Sequence, residues 1–119
     1  MAKDELRKRT KAFALDIIKL ADALPDNTVG KIIKWQLVRA GTSVGANYRA
    51  ASRPKSASDF ISKMGIAEEE TDESMYWMEL IIEAKFMSEN RISILYKEAE
   101  EILAMVVASI RTAKRRKGR

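Results

Sequence analysis

The sequence predicts an all-α fold, specifically an antiparallel, up-down-up-down four-helix bundle. Three observations lead there. Four segments of similar length carry apolar residues at helical spacings of three and four. Polar connections of only a few residues separate them, and short connections make consecutive helices antiparallel neighbours. Proline and glycine are scarce (two and five), while 46% of the 119 residues are apolar and 33% charged, a composition that suits long solvated helices. The length fits one domain spanning 1–119.

The first helix is expected over about 3–24. Leu6, Phe13, Ile17, Leu20 and Leu24 gather on one face, and Pro25 stops it because the residue before a proline is pushed out of the α region. Asp26 and Asn27 form a turn, and Thr28 is the expected cap of the next helix. That helix runs over about 29–52, with Val29, Ile32, Ile33, Gln36, Leu37, Ala40, Val44, Tyr48 and Ala51 in one phase. Gly41 and Gly45 fall inside it. Each costs about 1 kcal/mol relative to Ala, so the expectation is one long helix whose glycines admit another backbone closely. Arg53-Pro54 ends it.

The third helix, about 57–87, opens on Ser56, Ser58 and Asp59, a strong start signal. Ser88, Glu89 and Asn90 form the next connection. The fourth runs over about 91–117, with Ile92, Leu95, Tyr96, Ala99, Ile102, Leu103, Val106 and Ile110 as its stripe.

Composition excludes several chemistries. With no cysteine there is no disulfide, thiolate metal site or thiol nucleophile. With no histidine, the commonest general acid/base and metal ligand are gone. Met1 to Arg9 is charged and no apolar stretch follows, so no secretory leader is expected. The longest uncharged apolar run, Ile102 to Ile110, is far short of the roughly 20 residues of a membrane span. A cytoplasmic location without membrane contact is the expectation.

The third and fourth helices carry more apolar surface than one bundle needs. Met75-Tyr76-Trp77-Met78 covers most of a helix circumference, and Ile102 to Ala108 does the same. Met75, Tyr76, Trp77, Met105 and Val107 are therefore candidate residues of a homo-oligomer interface, cyclic in symmetry.

Acidic residues crowd the third helix from Glu68 to Glu83. A ferritin-like metal site needs Glu-x-x-His, which this chain cannot build. Ion pairing is the expected role, with Arg39 and Arg49 of the second helix facing Glu69 and Glu73. No catalytic residue, metal site or cofactor is expected. Gly41-Thr42-Ser43-Val44-Gly45 is no phosphate loop either, because Ala46 stands where a lysine is required.

The basic ends are the functional signal. Residues 1–11 hold five Lys/Arg against two acids, and residues 111–119 hold six against none. The net charge is +5, so the body between them is mildly acidic. Lys3, Arg7 and Lys11 form one stripe with Lys8 beside it. Arg111, Lys114, Arg115, Arg116, Lys117 and Arg119 form a basic tail. In an antiparallel bundle the two clusters would lie at the same end and merge into a patch suited to phosphate backbones. No aromatic lies within them to stack bases, so backbone contact is expected rather than reading of single strands.

Two runs carry a family resemblance: Arg39-Ala40-Gly41-Thr42-Ser43-Val44-Gly45-Ala46-Asn47, and Ala67-Glu68-Glu69-Glu70-Thr71-Asp72-Glu73-Ser74-Met75-Tyr76-Trp77-Met78-Glu79-Leu80. From about Leu6 to Arg111 the chain resembles the four helix bundle proteins encoded by intervening sequences in bacterial 23S ribosomal RNA genes. The resemblance implies a bundle that assembles into a ring, typically a pentamer. It also implies a fold similar to the accessory variability determinant proteins of diversity-generating retroelements, which bind nucleic acid and a reverse transcriptase through a basic barrel. The expected function is a non-enzymatic, homo-oligomeric nucleic-acid-binding or accessory protein that contacts RNA or DNA. The alternative is a protein–protein scaffold whose basic tail confers only solubility.

Overall fold

Four helices make up the computed structural model, which describes the backbone of residues 3–118 and the side chains of residues 5–118. They are α1 (Lys3–Asp22), α2 (Thr28–Ala51), α3 (Ala57–Glu83) and α4 (Glu89–Lys117), with no strand among the described residues. The molecule is a rod of 51 × 23 × 21 Å. A 29-residue helix is about 43 Å long at about 1.5 Å per residue, so α4 nearly spans it.

The helix ends follow local chemistry and depart slightly from the sequence expectation. α1 stops two residues early, at Asp22, because the chain ahead of Pro25 tightens into i→i−3 bonds: Ala23 N–H donates to Leu20 O and Leu24 N–H to Ala21 O. Asn27, not Thr28, caps α2, its side-chain oxygen accepting from Gly30 N–H at 2.8 Å. Ser56 caps α3 by accepting from Asp59 N–H at 3.0 Å, while Asp59 accepts in turn from Lys55 N–H. The Lys55 N–H first, and the Lys63 ammonium next, hold the Asp59 carboxyl below its usual range.

α3 ends at Glu83 rather than near Met87. Lys85 takes a left-handed backbone (φ 62°), Phe86 N–H donates to Ile81 O and Lys85 N–H to Ile82 O, both at 3.0 Å. That double bond closes the helix in a Schellman turn, normally glycine's position. The released chain lets α4 begin at Glu89, two residues earlier than expected.

The four stripes meet in one core. Phe13, Ile17, Leu37, Met64, Met78, Ile92, Ile102 and Val106 are essentially inaccessible. Leu6, Leu20 and Leu24 also lie inside, as the spacing of α1 requires. Two residues placed in the buried phase of α2 do not belong there: Val29 and Ile32 are more than half exposed. Tyr96 and Leu103 of α4 are half-buried. The buried hydroxyls of Thr71 and Ser74 are satisfied by carbonyls one turn back, at 2.7 and 2.8 Å.

α2 is continuous through both of its central glycines. A Cβ at Gly41 would stand 2.7 Å from Ile17 Cγ2, and one at Gly45 would stand 3.4 Å from the Thr10 carbonyl oxygen. Residue numbers thus rise along α1 as they fall along α2. The same order relates α3 and α4, through Tyr96 to Glu79 and Lys117 to Ser58.

Two measurements test this packing. A Cβ at Gly30 would sit 2.0 Å from the Pro25 carbonyl oxygen, whereas one at Gly65 would meet nothing within 4 Å. Urea denaturation should show Gly30→Ala losing about 1 to 3 kcal/mol and Gly65→Ala gaining about 1 kcal/mol. Separately, Tyr96 Oη donates to Glu79 Oε2 at 2.6 Å, and that bond pushes the phenol pKa up to about 12 from 10.0. The folded value is the higher one, so the bond's stabilisation is complete below pH 10 and is lost as pH rises through about 12. The stability gap between the wild type and Tyr96→Phe should therefore close over that window. An ultraviolet titration should show a tyrosine ionising near pH 12 that Glu79→Gln brings down.

Candidate nucleic-acid interface

Some cations belong to the fold and others remain open to solvent. Arg9 belongs to the fold. Its Nε donates to Glu98 Oε2 at 2.9 Å, and its Nη2 donates to Glu98 Oε1 at 2.6 Å and Glu101 Oε1 at 2.7 Å. This forked pairing ties α1 to α4 and drives the guanidinium pKa further up, through Glu98 first and Glu101 next. Arg39 ties α2 to α3. Its Nη1 donates to Glu70 Oε2 at 3.1 Å, and its Nη2 donates to Glu73 Oε2, which also accepts from Trp77 Nε1.

The structure corrects the expected ion-pair set here. Glu70 takes the place assigned to Glu69, because on α3 Glu70 and Glu73 point toward α2 while Glu69 points outward and is exposed. Arg49 is exposed too, and no carboxylate lies in ion-pair range of it among the described residues.

The candidate nucleic-acid residues divide into two surfaces. Arg7, Lys8 and Lys11 are exposed on α1, and Arg111, Lys114, Arg115, Arg116 and Lys117 on α4, except that Lys117 Nζ donates to Ser58 Oγ at 2.5 Å. The side chain of Lys3 and the whole of Arg119 lie outside the described residues. Arg9 stands opposite residues 98 to 105 of α4, so residues 111–117 run on past the first turn of α1. The α4 tip lies against the start of α3, with Phe60, Ser109, Thr112 and Arg116 around a cleft of about 320 Å³. Arg7 and Lys11 instead face α2. With Thr10, Ala14, Thr42, Gly45, Ala46 and Arg49 they line a groove of about 420 Å³. The expectation that both clusters meet in one patch took no account of how far α4 overhangs α1.

The apolar surface also differs in place. Of the expected interface residues, Tyr76 is 52% exposed, Met75, Trp77 and Met105 pack partly against the core, and Val107 is half-buried. Sequence reasoning missed Val29, Ile32 and Trp35 of α2, at 54, 56 and 61% exposed, and Leu15 and Ile18 of α1. A string of contacts links Trp35 to α3. Arg39 lies over the Trp35 ring at 6.0 Å, pairs with Glu73, which holds Trp77, and the Trp77 ring meets Tyr76 edge-on at 5.2 Å. The missed signal was that Ile32 and Trp35, three residues apart, both lie on the side of α2 away from Leu37.

Among the described residues no group of acidic side chains is placed to hold a metal ion, and no helix is long and apolar enough to cross a membrane. The pattern of the 23S rRNA-intervening sequence proteins matches residues 3–108. The chain belongs to that family. A crystal structure of a protein of unknown function from the S23 ribosomal protein family of Bacteroides thetaiotaomicron is similar across 88% of this chain and 97% of its own, at 30% identity and a TM-score of 0.83. Among curated proteins, none matches the chain in sequence. This intervening-sequence protein therefore has an all-helical fold shared with a relative whose own function is unknown.

The Arg39 clamp between α2 and α3 can be tested by itself. Glu70 is only 16% exposed, so Arg39→Met leaves its carboxylate half-buried and unpaired. The variant should lose about 1 to 2 kcal/mol in urea denaturation, and Glu69→Gln, on the outward face, should change stability by less than about 0.5 kcal/mol.

Proposed function

We propose that this intervening-sequence protein is a non-enzymatic, homo-oligomeric nucleic-acid-binding or accessory protein. Its basic ends contact the RNA or DNA backbone, its four helices form an up-down-up-down bundle, and several copies close into a ring. A single domain and a cytoplasmic location accompany this reading. The observation that carries it is the set of cations on α1 and at the α4 tip that stay exposed with no carboxylate partner among the described residues. Cations that serve the fold in this chain, Arg9 and Arg39, are paired. Unpaired cations gathered at one end attract phosphate at long range and are the footprint of backbone binding. The family name fits that chemistry and does not by itself assign a ligand. The lack of histidine and cysteine supports a binding role over a catalytic one.

Self-association rests on the apolar strip of Ile32, Trp35, Trp77 and Tyr76. Exposed tryptophan and tyrosine beside a paired arginine are the residues that anchor protein interfaces. A ring would repeat the basic end several times and raise affinity by avidity. The same strip favours a second reading, a protein–protein scaffold that binds no nucleic acid.

Fluorescence anisotropy with structured RNA and duplex DNA across a salt series separates the two. Backbone binding should weaken linearly in log salt, and deletion of residues 112–119 should reduce both affinity and slope. Absence of binding at low salt would leave the scaffold reading. Light scattering on the same samples should give a multimer that Trp35→Glu dissociates, and a strict monomer at micromolar concentration rules out the ring.

A further inference from the structure

The groove between α1 and α2 adds a site that the basic ends alone do not describe. We infer that this groove, walled by Arg7 and Lys11 of α1 and Arg49 of α2, is a seat for a phosphodiester of the bound strand, separate from the α4 tip. The inference rests on the nucleic-acid reading above and adds to it a second contact point and a new residue, Arg49.

Four observations support it. The groove holds cations on both walls and, among the described residues, no acid in its lining. α2 carries Lys31, Lys34, Arg39 and Arg49 and no acidic residue from end to end, so the field along that wall has one sign. None of the three cations has a carboxylate in ion-pair range among the described residues, although Glu residues occupy Arg9, two positions before Lys11 on α1. Gly45 and Ala46 keep the floor low, because the backbones of α1 and α2 come together there.

The floor itself is electrically quiet. Thr10 Oγ1 already donates to Arg7 O at 3.2 Å and Thr42 Oγ1 to Val38 O at 2.7 Å, so the donors for an oxyanion are the guanidinium and ammonium groups of the walls. Two arginines suit phosphate, since each offers a planar fork of N–H groups. At about 420 Å³ the groove exceeds a single oxyanion and matches a stretch of sugar–phosphate chain. A strand anchored both there and at the α4 tip would be held at two points of one subunit.

Two variants and two probes test the seat. Arg49→Ala removes one wall cation. Ala46→Phe fills the exposed floor and leaves every charge in place. Circular dichroism checks that both remain folded, and Arg49→Lys serves as the conservative control. With a fluorescein-labelled RNA hairpin, each of the first two variants should lower the slope of log affinity against log salt by about 1, Arg49→Lys should restore it, and deletion of residues 112–119 should lower it independently. If both groove variants keep the wild-type slope while the tail deletion loses binding, the seat is wrong and the nucleic-acid reading stands. If the wild type binds no nucleic acid, titration with inorganic phosphate decides. Amide shifts at Thr42, Gly45 and Ala46 that Arg49→Ala abolishes support an oxyanion seat without a polymer. Absence of such shifts overturns it.

Discussion

The arrangement depends on one constraint, the close approach of α1 to α2 at Gly41 and Gly45. A side chain at Gly41 would overlap Ile17, which is itself wholly buried. Ile17 can therefore pack there only because α2 offers no Cβ at Gly41, while Gly45 lies against the Thr10 backbone one turn on, and these two contacts set the register of the pair. From that register follow the burial of Ile17 in the core it shares with Leu37 and Val44, the outward position of Ile18, and the opposition of Arg7 to Arg49 across one groove. A helix pair that slid by one turn would keep its apolar stripe but separate those cations.

Charge is sorted by use within this frame. α3 is strongly acidic and α2 carries only positive charge, so their contact is bound by Arg39 with Glu70 and Glu73. Between α1 and α4, Arg9 performs the same task through Glu98 and Glu101. Partly exposed pairs contribute modestly to stability, about 0 to 1 kcal/mol each. Their larger effect is to fix which faces meet, leaving Arg7, Lys11, Arg49 and the α4 tip uncompensated at the surface. A folded protein whose structural cations are neutralised in this way displays the rest as a field directed at solvent.

Trp35 joins the structural and the exposed parts. Its ring lies beneath the Arg39 guanidinium, yet most of it remains open, with Ile32 and Val29 on the same face. A lone exposed tryptophan on a helix carries little meaning, but one joined to Trp77 and Tyr76 through Arg39 and Glu73 forms a strip of the kind that protein contacts cover.

The sequence by itself determined the all-helical fold, the four segments and most of the core. Leu6, Phe13, Ile17, Leu37, Met64, Ile102 and Val106 recur at spacings that only a helix brings to one side, and proline and capping residues mark where each helix stops. It also showed the absence of histidine and cysteine chemistry and the charge of both ends. Tertiary structure alone decided how the faces pair. Glu69 and Glu70 are equivalent in sequence, and only the rotation of α3 against α2 selects Glu70 for Arg39. Val29 and Ile32 fit the apolar phase of α2, but lie outside because the neighbouring helices cover a narrower arc than that phase spans. Arg49 lies 42 residues from Arg7 in the chain, and no local spacing relates them. Periodicity specifies which residues share a face of one helix. The axial offset and rotation between helices arise from the packing of all four together, and these place the cations of the groove side by side.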